Sequence, residues 1–169
     1  MSEKKLTMVV PAYNEEEALP IFYAEALRVE KKLPGVEIEY LFIDDGSSDG
    51  TLEVLRDLHK KDARVRYVSF SRNFGKEAAI YAGLQNAAGD YVAILDADLQ
   101  DPPALLPKML QAIEEEGYDC VGSRRVTRKG EPPIRSFFAS MFYHIMKKIS
   151  KADSVDGARD FLVMNRKVV

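Results

Sequence analysis

Short apolar runs of strand length alternate along this chain with segments of helical periodicity, and this alternation restricts the available folds more than any other feature. The predicted strands are Leu6–Pro11, Ile38–Asp44, Val65–Ser71, Tyr91–Asp96 and Tyr118–Gly122. The predicted helices are Glu16–Leu33, Thr51–Lys61, Lys76–Ala87 and a helix from Leu105 through Ile113, with Asp101 as its N-cap. Because the strands are apolar almost throughout, they are typical of a mostly parallel sheet covered by helices. The sequence therefore predicts the α/β class.

Length and composition narrow the class of protein further. The chain has 169 residues, a formal net charge of -3 and a single cysteine, Cys120. This length predicts one soluble domain over residues 1–169, and the charge gives no case for a nucleic-acid partner. One cysteine excludes an internal disulfide framework and fits a reducing compartment. No apolar run approaches the roughly 18–20 residues that cross a bilayer. We expect Cys120 to be buried and His59 to lie on a solvated helix face.

Polar residues follow the first two predicted strands, at the edge where ligands of such sheets bind. Tyr13 and Glu15 come after the first strand, and Asp44 and Asp45 end the second. An aromatic ring and carboxylates that accept hydrogen bonds from ribose hydroxyls or a base N–H suit a nucleoside. The alternative is local, because Asn14, and Ser48 or Asp49, would cap the helices that follow. That alternative leaves Asp44 and Asp45 unexplained.

The fourth predicted strand ends in Asp96-Ala97-Asp98. Carboxylates two residues apart on a strand share a face, and beyond the strand they can converge on one hard divalent cation that keeps positions free for phosphate oxygens. The chain has neither G-x-G-x-x-G nor G-x-x-x-x-G-K-[ST], which disfavours a dinucleotide oxidoreductase and a P-loop NTPase. If a nucleotide binds here, a metal has to hold its phosphates.

The mild net charge conceals a basic segment. The stretch from Val121 to Lys151 contains eight basic residues and one acidic residue, Glu131. It therefore carries a charge of +7, and the rest of the chain carries -10. Apolar residues recur in it at helical spacing: Phe137, Phe138, Met141, Phe142, Ile145, Met146 and Ile149. One interpretation is a core helix with solvated lysines. The other is a helix on an anionic membrane surface that presents basic groups to a lipid phosphate.

The motifs and their order carry a family resemblance that spans almost the whole chain. They are Val9-Val-Pro-Ala-Tyr-Asn-Glu15, Ile43-Asp-Asp-Gly-Ser-Ser-Asp-Gly-Thr51, Ser71-Arg-Asn-Phe-Gly-Lys-Glu77, Gly89-Asp90, Leu95-Asp-Ala-Asp-Leu-Gln-Asp-Pro-Pro103, Gly122-Ser-Arg124 and Asp160-Phe161. Together they resemble the family 2 glycosyltransferases of GT-A fold. More narrowly, they are similar to the polyprenyl-phosphate branch, which includes bactoprenol glucosyltransferase and dolichyl-phosphate mannose synthase.

The resemblance implies a role for each matching residue. The nucleotide sugar would be bound by Pro11, Ala12, Tyr13, Glu15, Asp44, Asp45, Ser47, Lys76, Asp96, Ala97 and Asp98. Asp98 and Gln100 would hold Mg²⁺ or Mn²⁺, with Asp96 as a further candidate ligand. Lys76 would lie near the base and Arg124 near the phosphates. The implied catalytic residues are Asp96, Asp98, Arg124 and, as a helper carboxylate, Asp160. Arg135 and Ser140 would contact the acceptor phosphate.

The implied reaction is an inverting, metal-dependent transfer of a hexose from a nucleotide sugar to a polyprenyl phosphate, with glucose from UDP-glucose and undecaprenyl phosphate as first choices. Because the acceptor oxygen is already anionic, the reaction needs little or no general base. The resemblance also implies a catalytic domain on the cytoplasmic face of a membrane, truncated after Val169 before the parent's membrane helices. A saccharide or other soluble acceptor, a nucleotide-sugar-binding fragment without turnover, and a homo-oligomer all stay open.

Overall fold

Six strands form one sheet in the order β3-β2-β1-β4-β6-β5, in a computed structural model that describes residues 4–124 and 158–169, with the backbone alone at 124 and 158–160. The strands are β1 Lys4–Ala12, β2 Val36–Asp44, β3 Val65–Ser69, β4 Tyr91–Ile94, β5 Cys120–Arg124 and β6 Ala158–Asn165. The neighbours among β1 to β4 pair in parallel, whereas β6 runs antiparallel to both β4 and β5. The predicted α/β class with a mostly parallel sheet is confirmed. The antiparallel strand β6 was not predicted.

The helices lie where the periodicity places them, with differences at their ends. They are α1 Ala18–Glu30, α2 Thr51–Lys61, α3 Lys76–Asn86 and α4 Leu106–Glu116, the last preceded by a 3₁₀ turn at Pro103–Leu105. The prediction of Asp101 as N-cap is wrong. Pro103 takes the first position of the 3₁₀ turn, which suits a proline ring, so the cap position falls on Pro102 and has no side-chain cap.

The core has two layers because successive side chains of a strand point to opposite faces of the sheet. On one face, Leu6 and Phe42 belong to a cluster with Leu19 of α1, Leu55 of α2 and Leu106 of α4. On the other face, α3 covers a cluster that contains Val9, Leu41, Ile43 and Ala79. Gly83 allows this close approach of α3, since a Cβ at that position would overlap Val9 Cγ1. The described helices therefore cover both faces of the sheet and not the carboxyl ends of its strands.

Two predictions about single side chains have different outcomes. Cys120 is exposed, so the prediction that it is buried is wrong. It is the first residue of β5, which lies at the edge of the described sheet and has β6 as its one neighbour among the described strands. His59 is exposed on α2, as predicted.

Within residues 4–124 and 158–169, no helix has the length and apolar character needed to span a bilayer. The apolar stripe from Phe137 to Ile149 and most of the basic segment lie outside the described residues. The two interpretations of that segment, a core helix and a membrane-surface helix, therefore both stay predictions.

Candidate functional site

A cavity of about 310 Å³ opens at the carboxyl ends of β1, β2 and β4, beside the start of α3. It is lined by Pro11, Ala12, Tyr13, Glu15, Asp45, Asn73, Gly75, Lys76, Ala79, Asp96, Ala97 and Asp98. These include every residue predicted for the nucleotide sugar except Asp44 and Ser47. Asn73, Gly75 and Ala79 also line the cavity and were not predicted. The signal for the first two was present, because both belong to the Ser71–Glu77 motif, from which only Lys76 was assigned.

Asp44 is 1% exposed and braces the loop that follows β2 rather than lining the cavity. Its Oδ1 accepts the N–H of Ser47 at 3.0 Å, and its Oδ2 accepts the hydroxyl of Ser69 at 2.7 Å. The hydroxyl of Ser47 in turn accepts the N–H of Asn14 at 3.0 Å. Ser47, which Asp44 holds, therefore helps to position Asn14, the residue that precedes Glu15.

Asn14 links two loops instead of capping a helix. Its φ is 56°, and its Oδ1 accepts the N–H of Ser48 at 2.9 Å. The cap position of α1 is Glu17, so the alternative that Asn14 caps that helix is wrong. Asp49 does serve the start of α2, where its Oδ1 accepts the N–H of Thr51 at 3.0 Å, although the cap position is Gly50. The two loops are thus held to each other at the rim of the cavity.

Asp45 ties the end of β2 to the loop before α3. It is 3% exposed, its Oδ1 accepts the N–H of Phe74 at 2.7 Å, and its Oδ2 accepts the N–H of Gly75 at 2.9 Å. The neighbouring Gly46 has φ +68°, and a Cβ there would overlap the backbone of Arg72. Glycine is required at this point because the two loops touch backbone to backbone and the φ is left-handed. The wall of the cavity nearest α3 is consequently fixed.

Lys76, the first residue of α3, forms an ion pair with Asp96. Its ammonium lies 2.8 Å from Oδ1 and 2.9 Å from Oδ2 of that carboxylate. The two side chains are 38% and 31% exposed, so the pair faces the cavity without being fully solvated. The resemblance implied that Lys76 lies near the base. That role stays a prediction, and the structure brings the ammonium of Lys76 to the first carboxylate of the Asp96-Ala97-Asp98 motif.

Asp98 lies at the mouth of the cavity and is exposed. Its Oδ1 accepts the N–H of Gln100 at 3.0 Å, across a turn in which Leu99 adopts φ +57°. The Gln100 side chain is exposed and is not among the residues that line the cavity. Asp98 is therefore the carboxylate of the motif that is most accessible to a ligand.

Glu15 shows that the cavity concentrates negative charge. Desolvation raises the pKa of Glu15 above its ordinary value, and the nearby charges of Asp98, Asp49 and Asp96 raise it further. A carboxylate whose ionisation is opposed by neighbouring carboxylates marks a place where a bound cation would be favourable.

The described residues fit a divalent cation only if the ligand completes its coordination. Within residues 4–124 and 158–169, no three His, Cys, Asp or Glu side chains surround one metal position. Mg²⁺ and related ions are commonly held by one or two carboxylates, with waters and phosphate oxygens in the remaining positions. The exposed carboxylate of Asp98, with Asp96 two residues away, suits that mode. These donors are too few for an all-protein cage.

The other predicted catalytic and acceptor residues are described in part or not at all. Arg124 is the last residue of β5, and Asp160 is the third residue of β6. Because Leu162 pairs with Ile94 in the antiparallel register, the backbone of Asp160 lies at the carboxyl edge of β4, near Asp96. Arg135 and Ser140 lie outside the described residues. The roles implied for all four stay predictions.

Comparison with known sequences identifies close relatives of this chain. The family model for glycosyl transferase family 2 matches residues 7–169. A prophage bactoprenol glucosyl transferase homolog from Escherichia coli is 40% identical over 165 residues, which cover 98% of this chain and 53% of the relative. The putative glycosyltransferase CsbB from Bacillus subtilis is 41% identical over 169 residues, which cover 100% of this chain and 50% of the relative. The chain thus spans about half the length of the curated relatives it matches.

Solved structures share the fold at lower identity. The mannosyltransferase PcManGT from Pyrobaculum calidifontis, solved with GDP-Man and Mn²⁺, has a TM-score of 0.67 and 20% identity over 98% of this chain and 46% of its own. Glucosyl-3-phosphoglycerate synthase from Mycobacterium tuberculosis, solved with UDP, has a TM-score of 0.61 and 21% identity over 98% of this chain and 58% of its own. The predicted GT-A fold is confirmed.

Proposed function

This chain belongs to glycosyl transferase family 2, and from that premise we propose that it transfers a hexose from a nucleotide sugar to a polyprenyl phosphate. The observation that carries the proposal is the cavity at the carboxyl edge of the sheet, where Glu15, Asp45, Asp96 and Asp98 face a single lysine among the lining residues. The curated relatives named bactoprenol glucosyl transferase support the choice of acceptor class and make glucose the first sugar to test.

The donor would lie in this cavity with its nucleoside toward β1 and β2. The ring of Tyr13 is 48% exposed at the rim, where it is available to stack on a base. The Asp45 carboxylate accepts the N–H groups of Phe74 and Gly75, so it has a fixed position for a hydrogen bond with the nucleoside. On the far side, Lys76 and Asp96 would face the sugar and diphosphate.

The cavity carries more negative than positive charge among its described residues, and a diphosphate adds more. A divalent cation, Mg²⁺ or Mn²⁺, would be held by Asp98, with Asp96 and Gln100 as the further predicted ligands. When bound, it would supply positive charge that stabilises the departing nucleoside diphosphate. The residues themselves orient the donor, and Arg124 would add a second positive charge beside the phosphates.

The proposed reaction is one in-line displacement with inversion. An acceptor phosphate oxygen forms a bond to the anomeric carbon as the bond from that carbon to the diphosphate oxygen breaks, and the electron pair leaves with the diphosphate. Because the attacking oxygen is already anionic, no side chain has to remove a proton. Arg135, Ser140 and the surrounding basic segment would bind the lipid phosphate at the cytoplasmic face of an anionic membrane.

The test has two stages. Thermal unfolding is measured with UDP, GDP and dTDP sugars, each with and without Mn²⁺, and transfer of radiolabelled sugar to undecaprenyl phosphate in detergent is then followed. We expect that one nucleotide sugar stabilises the protein and that this stabilisation requires Mn²⁺. We also expect the radiolabelled sugar to appear in the lipid phase. No stabilisation by any donor would overturn donor binding. Label on a soluble saccharide would favour the alternative acceptor, and binding without transfer would favour a binding fragment without turnover.

A further inference from the structure

The two carboxylates of the Asp96-Ala97-Asp98 motif are in different electrostatic states. Asp96 meets the ammonium of Lys76 with both oxygens, at 2.8 Å and 2.9 Å. Asp98 is exposed, and its Oδ1 accepts a backbone N–H from Gln100 at 3.0 Å. Among the residues that the structure describes, a cation that approaches the motif therefore meets one carboxylate, Asp96, that is paired with an ammonium and one, Asp98, that is not paired with a basic side chain.

The position of Lys76 is set by the fold. The residue immediately before it, Gly75, has φ +99° and donates its N–H to Asp45, as does Phe74. One turn further along α3, Ala79 is fully buried against the sheet. The backbone that carries Lys76 is thus anchored at both ends of the first helical turn. The anchored backbone, and not only the length of the lysine side chain, therefore places the ammonium beside Asp96.

From this geometry we infer that Lys76 acts as a resident counter-ion of Asp96. By occupying Asp96, Lys76 directs a divalent cation to Asp98. Lys76 also keeps a fixed positive charge beside the bound diphosphate. Only the part of the inference that concerns the diphosphate rests on the proposed function. An ammonium and a divalent cation compete for the same carboxylate, because each reduces the attraction that the other experiences and the two repel one another.

This arrangement predicts opposite changes in two affinities when the charge of Lys76 is removed. In Lys76→Met, Asp96 becomes available to the metal, so the affinity for Mn²⁺ alone should increase about tenfold, a moderate change because the pair is partly solvated. The affinity for UDP or GDP, measured at saturating Mn²⁺, should decrease about tenfold because a cation beside the phosphates is lost. A purely structural role of Lys76 would weaken both.

The experiment measures Mn²⁺ binding by electron paramagnetic resonance and nucleotide binding by calorimetry, with thermal unfolding as a check that each variant is folded. Lys76→Arg retains the charge and should stay within about threefold of the wild type in both measurements. Lys60→Met is the matched control for charge, since Lys60 pairs with Asp57 at 3.0 Å on the exposed face of α2. It should change neither affinity.

The double variant Lys76→Met with Asp96→Asn distinguishes the pair from a general charge effect. If Lys76 acts through Asp96, adding Lys76→Met to Asp96→Asn gives no gain in Mn²⁺ affinity over Asp96→Asn alone, whereas a general charge effect would still give that gain. Unchanged or weaker Mn²⁺ binding by Lys76→Met, including no binding at all, would overturn the inference. If Lys76→Met gains Mn²⁺ affinity while the wild-type protein transfers no sugar to any acceptor, the inference is supported and the proposed reaction is not, so the two failures are distinguishable.

Discussion

The amino and carboxyl edges of the sheet both hold buried or half-buried carboxylates, but the two edges differ in how far basic side chains and hydroxyls pair with them. At the amino edge, Glu39 is 5% exposed and is matched on several sides. It accepts the hydroxyl of Thr7 at 2.7 Å and a guanidinium N–H of Arg66 at 3.0 Å, and the ammonium of Lys5 lies 3.5 Å away. Although burial alone would raise its pKa, the hydrogen bonds from Thr7 and Arg66 and the charge of Lys5 hold the pKa of Glu39 below its ordinary value.

A second matched network lies beside the start of β3. Arg64 donates to Asp62 at 2.7 Å and also to Glu30. Two tyrosine hydroxyls complete it, as Tyr23 donates to Asp62 at 2.6 Å and Tyr40 donates to Glu30 at 2.9 Å. The hydrogen bonds from Arg64 hold the pKa of Asp62 well below its usual range. At this edge each of these carboxylates has an arginine and a hydroxyl.

Among the described residues, the carboxyl edge leaves part of its negative charge unmatched by basic side chains. Only Lys76 contributes a positive charge among the described residues that line the cavity, and it is paired with Asp96. Burial and neighbouring carboxylates raise the pKa of Glu15, which is the opposite direction to Glu39 and Asp62. The comparison teaches that this fold matches charge where only stability is at stake and leaves a negative excess where a cation and a phosphate ligand are expected to bind.

The largest effect expected is the loss of metal-dependent nucleotide binding in Asp98→Asn. This change removes the most accessible carboxylate of the cavity and leaves the shape of the side chain. We expect at least a hundredfold weaker binding of the nucleotide sugar in Mn²⁺, which calorimetry measures, with the thermal unfolding temperature retained. Glu53→Gln, on the exposed face of α2, is the control. Unchanged binding by Asp98→Asn would refute the metal role.

At the amino edge, Glu39→Ala should lower the free energy of unfolding by about 2–4 kcal/mol, because it removes the acceptor of the Thr7 hydroxyl and the carboxylate partner of Arg66. Urea unfolding at pH 7 measures the change. Glu37→Ala is the matched control, since Glu37 lies on the same strand and also approaches Lys5, at 3.9 Å, but its side chain is 54% exposed. Equal effects of the two variants would show that the buried network does not stabilise the fold.

Asp62→Asn should destabilise the protein by about 1 kcal/mol at pH 7, and this difference should disappear in acid. The folded pKa of Asp62 is depressed below the unfolded value of about 3.9. Its contribution is therefore complete above that unfolded pKa and is lost as the pH falls through the folded value. Urea unfolding of both proteins from pH 7 to about pH 2 follows the difference, which should begin to shrink below about pH 4. A difference that grows in acid would contradict the assignment.

The same network makes a prediction in base. Burial, followed by the hydrogen bond to Asp62, raises the pKa of Tyr23 to about 12. Because the folded pKa exceeds the unfolded value of about 10, the stabilisation is complete below pH 10 and is lost as the pH rises toward 12. In Tyr23→Phe this part of the alkaline loss of unfolding free energy should be absent. An alkaline slope identical to that of the wild type would argue against it.

The smallest effect expected is at the carboxyl edge, with the opposite sign. Glu15→Gln should raise the free energy of unfolding at pH 7 by less than about 0.5 kcal/mol, because it removes a carboxylate that its surroundings disfavour and solvent screens the gain. Since the folded pKa of Glu15 is raised above 4.5, the gain should vanish as the pH falls below that value and the wild-type side chain takes up its proton. Glu17→Gln, on an exposed side chain of the same loop, should have no such effect. Destabilisation by Glu15→Gln would contradict the comparison.

Much of the fold could be predicted because local patterns carried it. Helix α2 has the predicted ends, and β1 to β4 lie where their apolar runs are. The errors arose where partners distant in the chain decide. Strand β6 pairs with β4 and β5 through residues far from either in sequence, and no periodicity near Asp160 indicated a strand in antiparallel register. Cys120 is exposed because its strand lies at the edge of the described sheet, which its own neighbours in sequence do not reveal.

The candidate site divides in the same way. Apolar strands that end in carboxylates and a tyrosine are visible in the chain, and parallel pairing must bring those ends to one edge, so the cavity follows from the sequence. The partners of each carboxylate do not. Asp44 faces Ser69, Asp45 faces Phe74 and Gly75, and Asp96 faces Lys76 because β1 lies between β2 and β4 and α3 covers that junction. Local sequence sets which residues stand at a strand end, whereas only the packing of strands and helices sets which charges meet there.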